Sequence, residues 1–176
     1  MEKKTTRPKI KLSRSAIDWL TDIIAFALLV LLIAIQVMNY GNLPDTIPTH
    51  FNAAGQPDGY GGKGTLWLLP ATGMFMYLMM TVIEQFPQIY NYPVEITATN
   101  AERQYGIATR LIRILKTLIL LVFTFLSYKT IETATGKASG LGKAFLPVFL
   151  LITFGVVIFY IVKSVNSRDN SHNKFS

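Results

Sequence analysis

The chain contains 176 residues, of which 51% are hydrophobic and only 15% are charged. Soluble domains usually carry about 25% charged residues, so this composition indicates an integral membrane protein. Because the sequence has no cysteine, it excludes disulfides, thiolate metal sites and cysteine catalysis. The net charge of +7 does not indicate nucleic-acid binding, because the basic residues flank apolar stretches, where they set topology and attract anionic lipid.

Four apolar stretches, each long enough to cross a bilayer, are separated by polar segments rich in Gly, Pro and Asn. The first span is predicted at 17–40, directly after a basic cytoplasmic tail over residues 1–16. No small-residue cleavage pattern follows this span, so we interpret it as an uncleaved helix and not as a signal peptide. The later spans are predicted at 65–83, 99–130 and 143–165.

The segments between the spans complete two helical hairpins, over residues 17–83 and 84–165. Outer loops are predicted at 41–64 and 131–142, and the inner loop between them at 84–98. A disordered polar tail is predicted at 166–176. The predicted fold class is an all-α integral membrane protein, a four-transmembrane-helix bundle with both termini in the cytoplasm. An ordered extracytoplasmic loop is expected between its first and second helices, because several prolines and glycines exclude a long helix there.

The start of the third helix is predicted from Thr99-Asn100-Ala101-Glu102, which has the spacing of a capping box with Thr99 as the N-cap. A helix from Thr99 to Thr130 is about 45 Å long, whereas the hydrocarbon core is about 30 Å thick. We therefore expect its first turns to enter the cytoplasm or to lie along the membrane surface.

Orientation is predicted from the distribution of Lys and Arg, which are enriched in cytoplasmic segments. With the N-terminus inside, thirteen of the 17 basic residues lie on the cytoplasmic side. The four on the outer side are Lys63, Lys129, Lys137 and Lys143. The opposite orientation would reverse this ratio, so the Pro- and Gly-rich loop is expected to face the exterior.

The outer loop has turn chemistry that is too specific for a simple spacer. It places Thr, His and Asn side chains near prolines, and Gly55 can adopt a positive φ. One interpretation is a structured cap in which His50 and Asn52 satisfy loop carbonyls. A second is a recognition surface for an external ligand or peptide. A third is a metal or acid–base site that uses His50, Asn52 and Asp58, although one histidine with scattered oxygen ligands is a weak metal signal.

A second group of polar residues lies at the cytoplasmic ends of the first three spans. It comprises Asp18, Asp22, Glu84, Arg110, Arg113 and Lys116. Charges near the hydrocarbon boundary need a partner or a route to water, so we expect Asp22 to meet Arg113 or Lys116. Arg14, four residues before Asp18, is expected to pair with that carboxylate. The alternative is that the cations snorkel to lipid headgroups without direct contact between helices.

The outer loop also contains a motif, Pro-x-x-Ile-Pro-x-His-Phe-Asn-x-x-Gly-x-Pro-Asp with a Lys shortly after, that resembles the signature of a widespread bacterial membrane family. The matching residues are Pro44, Ile47, Pro48, His50, Phe51, Asn52, Gly55, Pro57, Asp58 and Lys63. The best-known members are SdpI-like proteins, which give bacilli immunity to their own secreted killing toxin and hold a repressor at the membrane. The resemblance covers the first two helices and their loop, and it implies that this loop is the shared functional element.

The leading hypothesis is a bacterial membrane protein of immunity or sensor type, multi-pass in the cytoplasmic membrane, that binds an external peptide or envelope component through residues 43–63. Expected partners are a bilayer with anionic lipid at its inner face, a secreted peptide or toxin, and a second copy of the chain in a homo-oligomer. No catalytic residue, cofactor or nucleic-acid partner is expected.

Two alternatives remain open. A small transporter or transporter subunit would need a polar path that reaches Gln36 and Thr124. A metal-dependent membrane hydrolase would use His50, with Asp58 as a weak second metal candidate, and would need a further catalytic group within about 3 Å of the imidazole ring.

Overall fold

The computed structural model describes residues 7–167. Its helices are α1 (Ala16–Asn39), α2 (Leu68–Ile83), α3 (Ala101–Ala134) and α4 (Phe145–Asn166), and its strands are β1 (Thr46–Phe51) and β2 (Pro57–Gly62). Short 3-10 turns extend α1 to Asn42 and begin the second span at Lys63. Within the described residues, four helical segments are therefore long and apolar enough to cross a membrane. The predicted fold class, a multi-pass bundle of four membrane-spanning helices, is confirmed.

Helix α3 is the central element, because α1, α2, α4 and β1 all pack against it. Its 34 residues span about 50 Å, which exceeds the hydrocarbon thickness of about 30 Å. Gly73 lets α2 approach α1 closely, since a Cβ atom at this position would lie 2.9 Å from a methyl carbon of Leu32 on α1. By contrast, α4 packs mainly on α3 and leaves most of its apolar side chains exposed, as expected for a helix that faces lipid.

Local capping explains where α1 and α3 begin. Ser15 caps α1 in a capping box, in which the Asp18 carboxylate accepts a hydrogen bond from the Ser15 backbone N–H at 2.9 Å. The prediction that Thr99 caps the third helix is wrong, because α3 has Asn100 as its N-cap residue. This start places Glu102 at the second helical position, one residue short of a capping box. The Asn100 side chain instead stabilises the preceding turn, accepting from the Thr97 N–H at 2.9 Å.

The two ends of the bundle differ in character. Strands β1 and β2 form an antiparallel hairpin at one end, which we call the hairpin end, where Ile47 packs with Leu43, Leu66 and Ile131. At the opposite end, which we call the charged end, residues 7–15 lie against the segment that joins α2 to α3. The predicted disordered tail, 166–176, lies outside the described residues except for its first two positions, as do residues 1–6 of the predicted basic tail.

Apolar and hydrogen-bonding contacts hold residues 7–15 in place at the charged end. Arg7 donates to the Tyr90 carbonyl and stacks over the Tyr92 ring, while the Tyr105 hydroxyl donates to the Pro8 carbonyl at 3.1 Å. Burial raises the pKa of Tyr90 to about 12, with a smaller contribution from the Glu84 carboxylate. The segment is thus part of the folded structure and not a free tail.

The tip of the β-hairpin docks onto the connection between α3 and α4. Gly55 adopts a positive φ of 73°, and its carbonyl accepts a hydrogen bond from the Leu141 N–H at 2.7 Å. A Cβ atom at Gly55 would lie 2.6 Å from the Gly142 carbonyl oxygen, so only glycine fits this contact. The first and second helical hairpins are therefore joined by backbone contacts at the hairpin end.

We predict that Gly55→Ala separates the hairpin tip from the α3–α4 connection. The left-handed backbone conformation alone costs roughly 1–2 kcal/mol for a residue with a Cβ, and the clash adds to this. Trypsin cleavage at Lys137 and Lys143 in detergent should accelerate, and the unfolding midpoint should fall. Gly41→Ala is the matched control, because a Cβ atom there would meet nothing within 4 Å. Equal cleavage rates in both variants would contradict the docking.

Candidate functional site

At the charged end, the six residues of the predicted inner group lie together in one network, which we call the ionic cluster. Its centre is Glu84, at the C-terminal end of α2. The Glu84 carboxylate accepts hydrogen bonds from Arg113 Nε at 2.9 Å and from Lys116 Nζ at 2.8 Å. The side chain of Glu84 is only 1% exposed and that of Lys116 only 2%. Helices α2 and α3 are thus joined by buried charges.

The two aspartates of α1 complete the ionic cluster. The Asp18 carboxylate accepts a hydrogen bond from Arg110 Nε at 2.8 Å, and the Arg113 guanidinium lies 3.3 Å from the same carboxylate. Asp22 accepts from Lys116 at 3.0 Å. For Lys116 the structure thus shows direct pairing and not snorkelling to headgroups. Because every carboxylate contacts more than one cation, the cluster acts as a clamp on three helices and offers no unpaired charge for a ligand.

The expected pairing of Arg14 with Asp18 is wrong. Arg14 lies instead 3.3 Å from Asp22, while Asp18 is occupied by Ser15 and Arg110. The physical reason is that α1 begins only after Ser15, so Arg14 precedes the helix and does not share the face expected from a spacing of four residues.

The buried ammonium group of Lys116 is fully hydrogen-bonded. Besides its bonds to Asp22 and Glu84, it donates to the Thr81 hydroxyl at 3.2 Å, so all three of its N–H donors have acceptors.

We predict that Glu84→Gln strongly destabilises the fold, because it removes the most deeply buried carboxylate that pairs with both Arg113 and Lys116. Loss of one partner from a buried ion pair costs about 3–5 kcal/mol. Thermal unfolding of purified protein in detergent measures this loss. Glu132→Gln, which breaks the more exposed Lys129–Glu132 pair, should change the midpoint little. Similar shifts in both variants would show that burial of the ionic cluster does not set stability.

Polar side chains near the middle of the spans connect helices directly. Gln36 is fully buried and its Nε2 donates to Ser127 Oγ at 2.6 Å, and the Thr124 hydroxyl lies 3.3 Å from the Leu28 carbonyl. Within the described residues, the Gln36 Oε1 atom has no hydrogen-bond partner. These groups hold α1 against α3. Gln36 and Thr124, the residues that a transport path would have to reach, thus take part in contacts between helices.

At the hairpin end, His50 and Asp58 form an exposed pair. The His50 Nδ1–H donates to the Asp58 carboxylate at 2.5 Å, and the side chains are 71% and 43% exposed. The pairing of β1 with β2 is irregular on both sides of His50, since Thr49 and Asp58 are each one residue in excess of the partner strand. Such bulges redirect side chains, and here they bring the imidazole and the carboxylate to the same place.

Most other residues of the predicted loop site have a structural role. Ile47 and Pro48 are buried, and Asn52 Oδ1 accepts from the backbone N–H groups of Ala54 and Gln56 at 2.9 and 3.1 Å. Asn52 therefore closes the turn by accepting from N–H groups, and the expectation that it satisfies loop carbonyls is wrong. The same expectation is wrong for His50, which donates to a carboxylate.

The remaining predicted positions lie around this turn and at the base of the hairpin. Lys63 closes the base by an ion pair with Asp45 at 3.0 Å, a partner that the sequence interpretation did not select. Pro44 is exposed beside it, and Pro57 pairs with Phe51 at the end of the strands. A groove of about 370 Å³ runs beside the hairpin and is mainly apolar. It is lined in part by Ile47, Phe51, Leu66, Leu69, Leu126 and Thr130.

The chemistry available at the hairpin is hydrogen bonding and charge. Among the described residues, no group of three His, Cys, Asp or Glu side chains could hold a metal ion. Asp58 lies 2.5 Å from the His50 ring, within the distance that the hydrolase alternative requires of a further group, and it can orient the imidazole and leave Nε2 for a ligand. Elsewhere, sequence reasoning missed Gln104 and Ser164, which join α3 to α4 through a buried side-chain hydrogen bond at 2.5 Å. The polar residues at the C-terminal end of the otherwise apolar α4 are the signal that could have identified this contact.

Fold and site together define a four-helix membrane protein with a structured hairpin at one end and a buried ionic cluster at the other. Residues 27–74 match the profile of a domain of unknown function, DUF1648, which spans the second half of α1, the hairpin and the start of α2. An uncharacterized protein of Archaeoglobus fulgidus is 38% identical over 80 residues, covering 41% of this chain and 42% of that relative. The chain thus matches less than half of its relative's length. No solved structure matches the chain significantly.

Proposed function

We propose that the chain is a bacterial membrane protein of immunity or sensor type, which binds an external peptide or envelope component at the hairpin. One observation carries this proposal. His50 and Asp58 form an exposed hydrogen-bonded pair on the hairpin, away from the contacts that anchor it to the helices. Anchoring is supplied by Ile47, by the Lys63–Asp45 pair and by the docked tip at Gly55.

A pair of this kind suits recognition because it is rigid yet accessible. The hairpin is fixed at its base and its tip, so little conformational entropy is lost when a ligand binds. Asp58 holds the imidazole through Nδ1, and the exposed ring edge can then donate to, or accept from, a peptide backbone. The adjacent apolar groove offers space for a side chain of the same ligand. The SdpI-like resemblance of this segment supports a secreted toxin as the peptide.

The proposal requires the hairpin end to face the exterior, with both termini in the cytoplasm of a bacterial cell. Support comes from the Lys and Arg residues of the described chain, of which nine lie at the charged end and four at the hairpin end. The charged end would then contact the anionic inner leaflet.

Because the chain has no cysteine, its orientation can be tested with single cysteines. We predict that a Tyr60→Cys variant reacts with a membrane-impermeant maleimide in intact cells, since Tyr60 is 62% exposed on the hairpin. A Glu102→Cys variant, at the exposed start of α3, should react only after permeabilisation. The reverse pattern would place the hairpin in the cytosol and remove an external ligand from consideration.

We further predict that His50→Ala abolishes protection of a bacillus that lacks its own immunity protein and is challenged with its secreted killing peptide. Loss of one charge-assisted hydrogen bond, worth about 1.5–3 kcal/mol, corresponds to roughly a tenfold or greater loss of affinity. Survival counts measure the effect, and Asp58→Asn should act in the same direction.

Two controls separate recognition from folding. Lys137→Gln lies on the exposed α3–α4 connection and should protect fully. Asn52→Ala opens the turn, so it should reduce protection together with the amount of protease-resistant protein, whereas His50→Ala should leave that amount unchanged. Full protection by His50→Ala, or none by the unsubstituted chain, would refute the proposal.

A further inference from the structure

A polar cavity lies at the charged end, between the start of α3 and the end of α4. Its volume is about 290 Å³, and it is distinct from the ionic cluster although Arg110 borders both. Three cations and one carboxylate are among its lining residues. They are Arg103, Arg110, Lys163 and Glu102.

Two of these cations differ from those of the ionic cluster in lacking a carboxylate partner. Arg103 donates only to the Ser167 carbonyl at 3.3 Å among the contacts of the described chain. Lys163 lies 5.8 Å from the ring centres of Phe159 and Tyr160, and within residues 7–167 no carboxylate comes within ion-pairing distance of it. The cavity thus carries excess positive charge, which an anion would neutralise.

Tyr160 supplies an independent observation. Its side chain lines the cavity, and the residue is only 8% exposed. Its hydroxyl makes no hydrogen bond within the described residues, and the oxygen keeps some solvent exposure. The hydroxyl is therefore accessible from the cavity and free to donate a hydrogen bond to an occupant. A phosphate oxygen in the cavity would accept from this hydroxyl and from the neighbouring cations.

The surroundings of the cavity select a lipid as the source of that phosphate. The cavity lies at the end of two membrane-spanning helices, where we expect lipid headgroups. Phe159 and Val162, which are 59% and 50% exposed, lie next to the cavity residues Tyr160 and Lys163 on α4 and present apolar surface to lipid. A free phosphate would use the cations alone, whereas a phospholipid would use the cations and this apolar surface together.

We propose that this cavity binds the phosphate headgroup of an anionic phospholipid, with its acyl chains along the exposed face of α4. The site is independent of the proposed recognition function, because no hairpin residue takes part in it. It would occupy the one α3–α4 surface that presents both unpaired cations and a path for acyl chains within the described residues.

Native mass spectrometry of the delipidated full chain tests the site, with phosphatidylglycerol or phosphatidylcholine added back at equal concentration. We expect phosphatidylglycerol to bind at least about tenfold more tightly, given a contribution of about one kcal/mol per basic residue. Arg103→Gln combined with Lys163→Gln should abolish this preference. Lys137→Gln combined with Lys143→Gln removes two exposed lysines at the hairpin end and should preserve it.

Two further measurements sharpen the result. Tyr160→Phe, which removes only the hydroxyl, should weaken phosphatidylglycerol binding severalfold without lowering the unfolding midpoint. Inorganic phosphate in millimolar excess should not displace the lipid. Equal binding of the two lipids, an unchanged preference after loss of Arg103 and Lys163, or displacement by inorganic phosphate would overturn the assignment to a lipid site.

Discussion

The contact between Glu84 and the two cations of α3 is the interaction on which the bundle depends. In hydrocarbon an unpaired charge is very costly, so Arg113 and Lys116 restrict α2 and α3 to arrangements that keep both beside one carboxylate. Asp18 and Asp22 impose the same condition on α1. Apolar packing alone would tolerate sliding or rotation of these helices, since lipid is as apolar as a leucine side chain. The ionic cluster therefore fixes the register of three helices.

The hairpin end is organised by different physics. It contains few buried charges, and its order comes from backbone geometry: a docked glycine tip, two strand irregularities and a carboxamide that closes the turn. These devices act within water or the interface, where a single surface ion pair such as Lys63–Asp45 contributes little. Stability is thus concentrated at one end and an accessible polar pair at the other. This division is common where a rigid scaffold presents a functional loop.

Sequence patterns predicted the helices well, because a run of about 20 apolar residues has few alternatives to a membrane-spanning helix. They also predicted which residues form the ionic cluster, since charges at helical spacing near the end of a span require partners. The strands escaped prediction because β2 contains Gly59, Gly61 and Gly62, which have low strand propensity. Its pairing is imposed by packing of β1 on α3, a tertiary contact that local sequence does not report. The error at Thr99 comes from a helix start displaced by one residue, and the error at Arg14 from applying helical spacing to a residue that precedes α1.

The docking of Gly55 onto the α3–α4 connection has a mechanical consequence. Helix α4 packs mainly on α3, so it has little else to resist a pull applied to the connection that precedes it. A shift of the hairpin would therefore displace this connection and the first turns of α4, whereas the buried hydrogen bond between Ser164 and Gln104 holds the opposite end of that helix against α3.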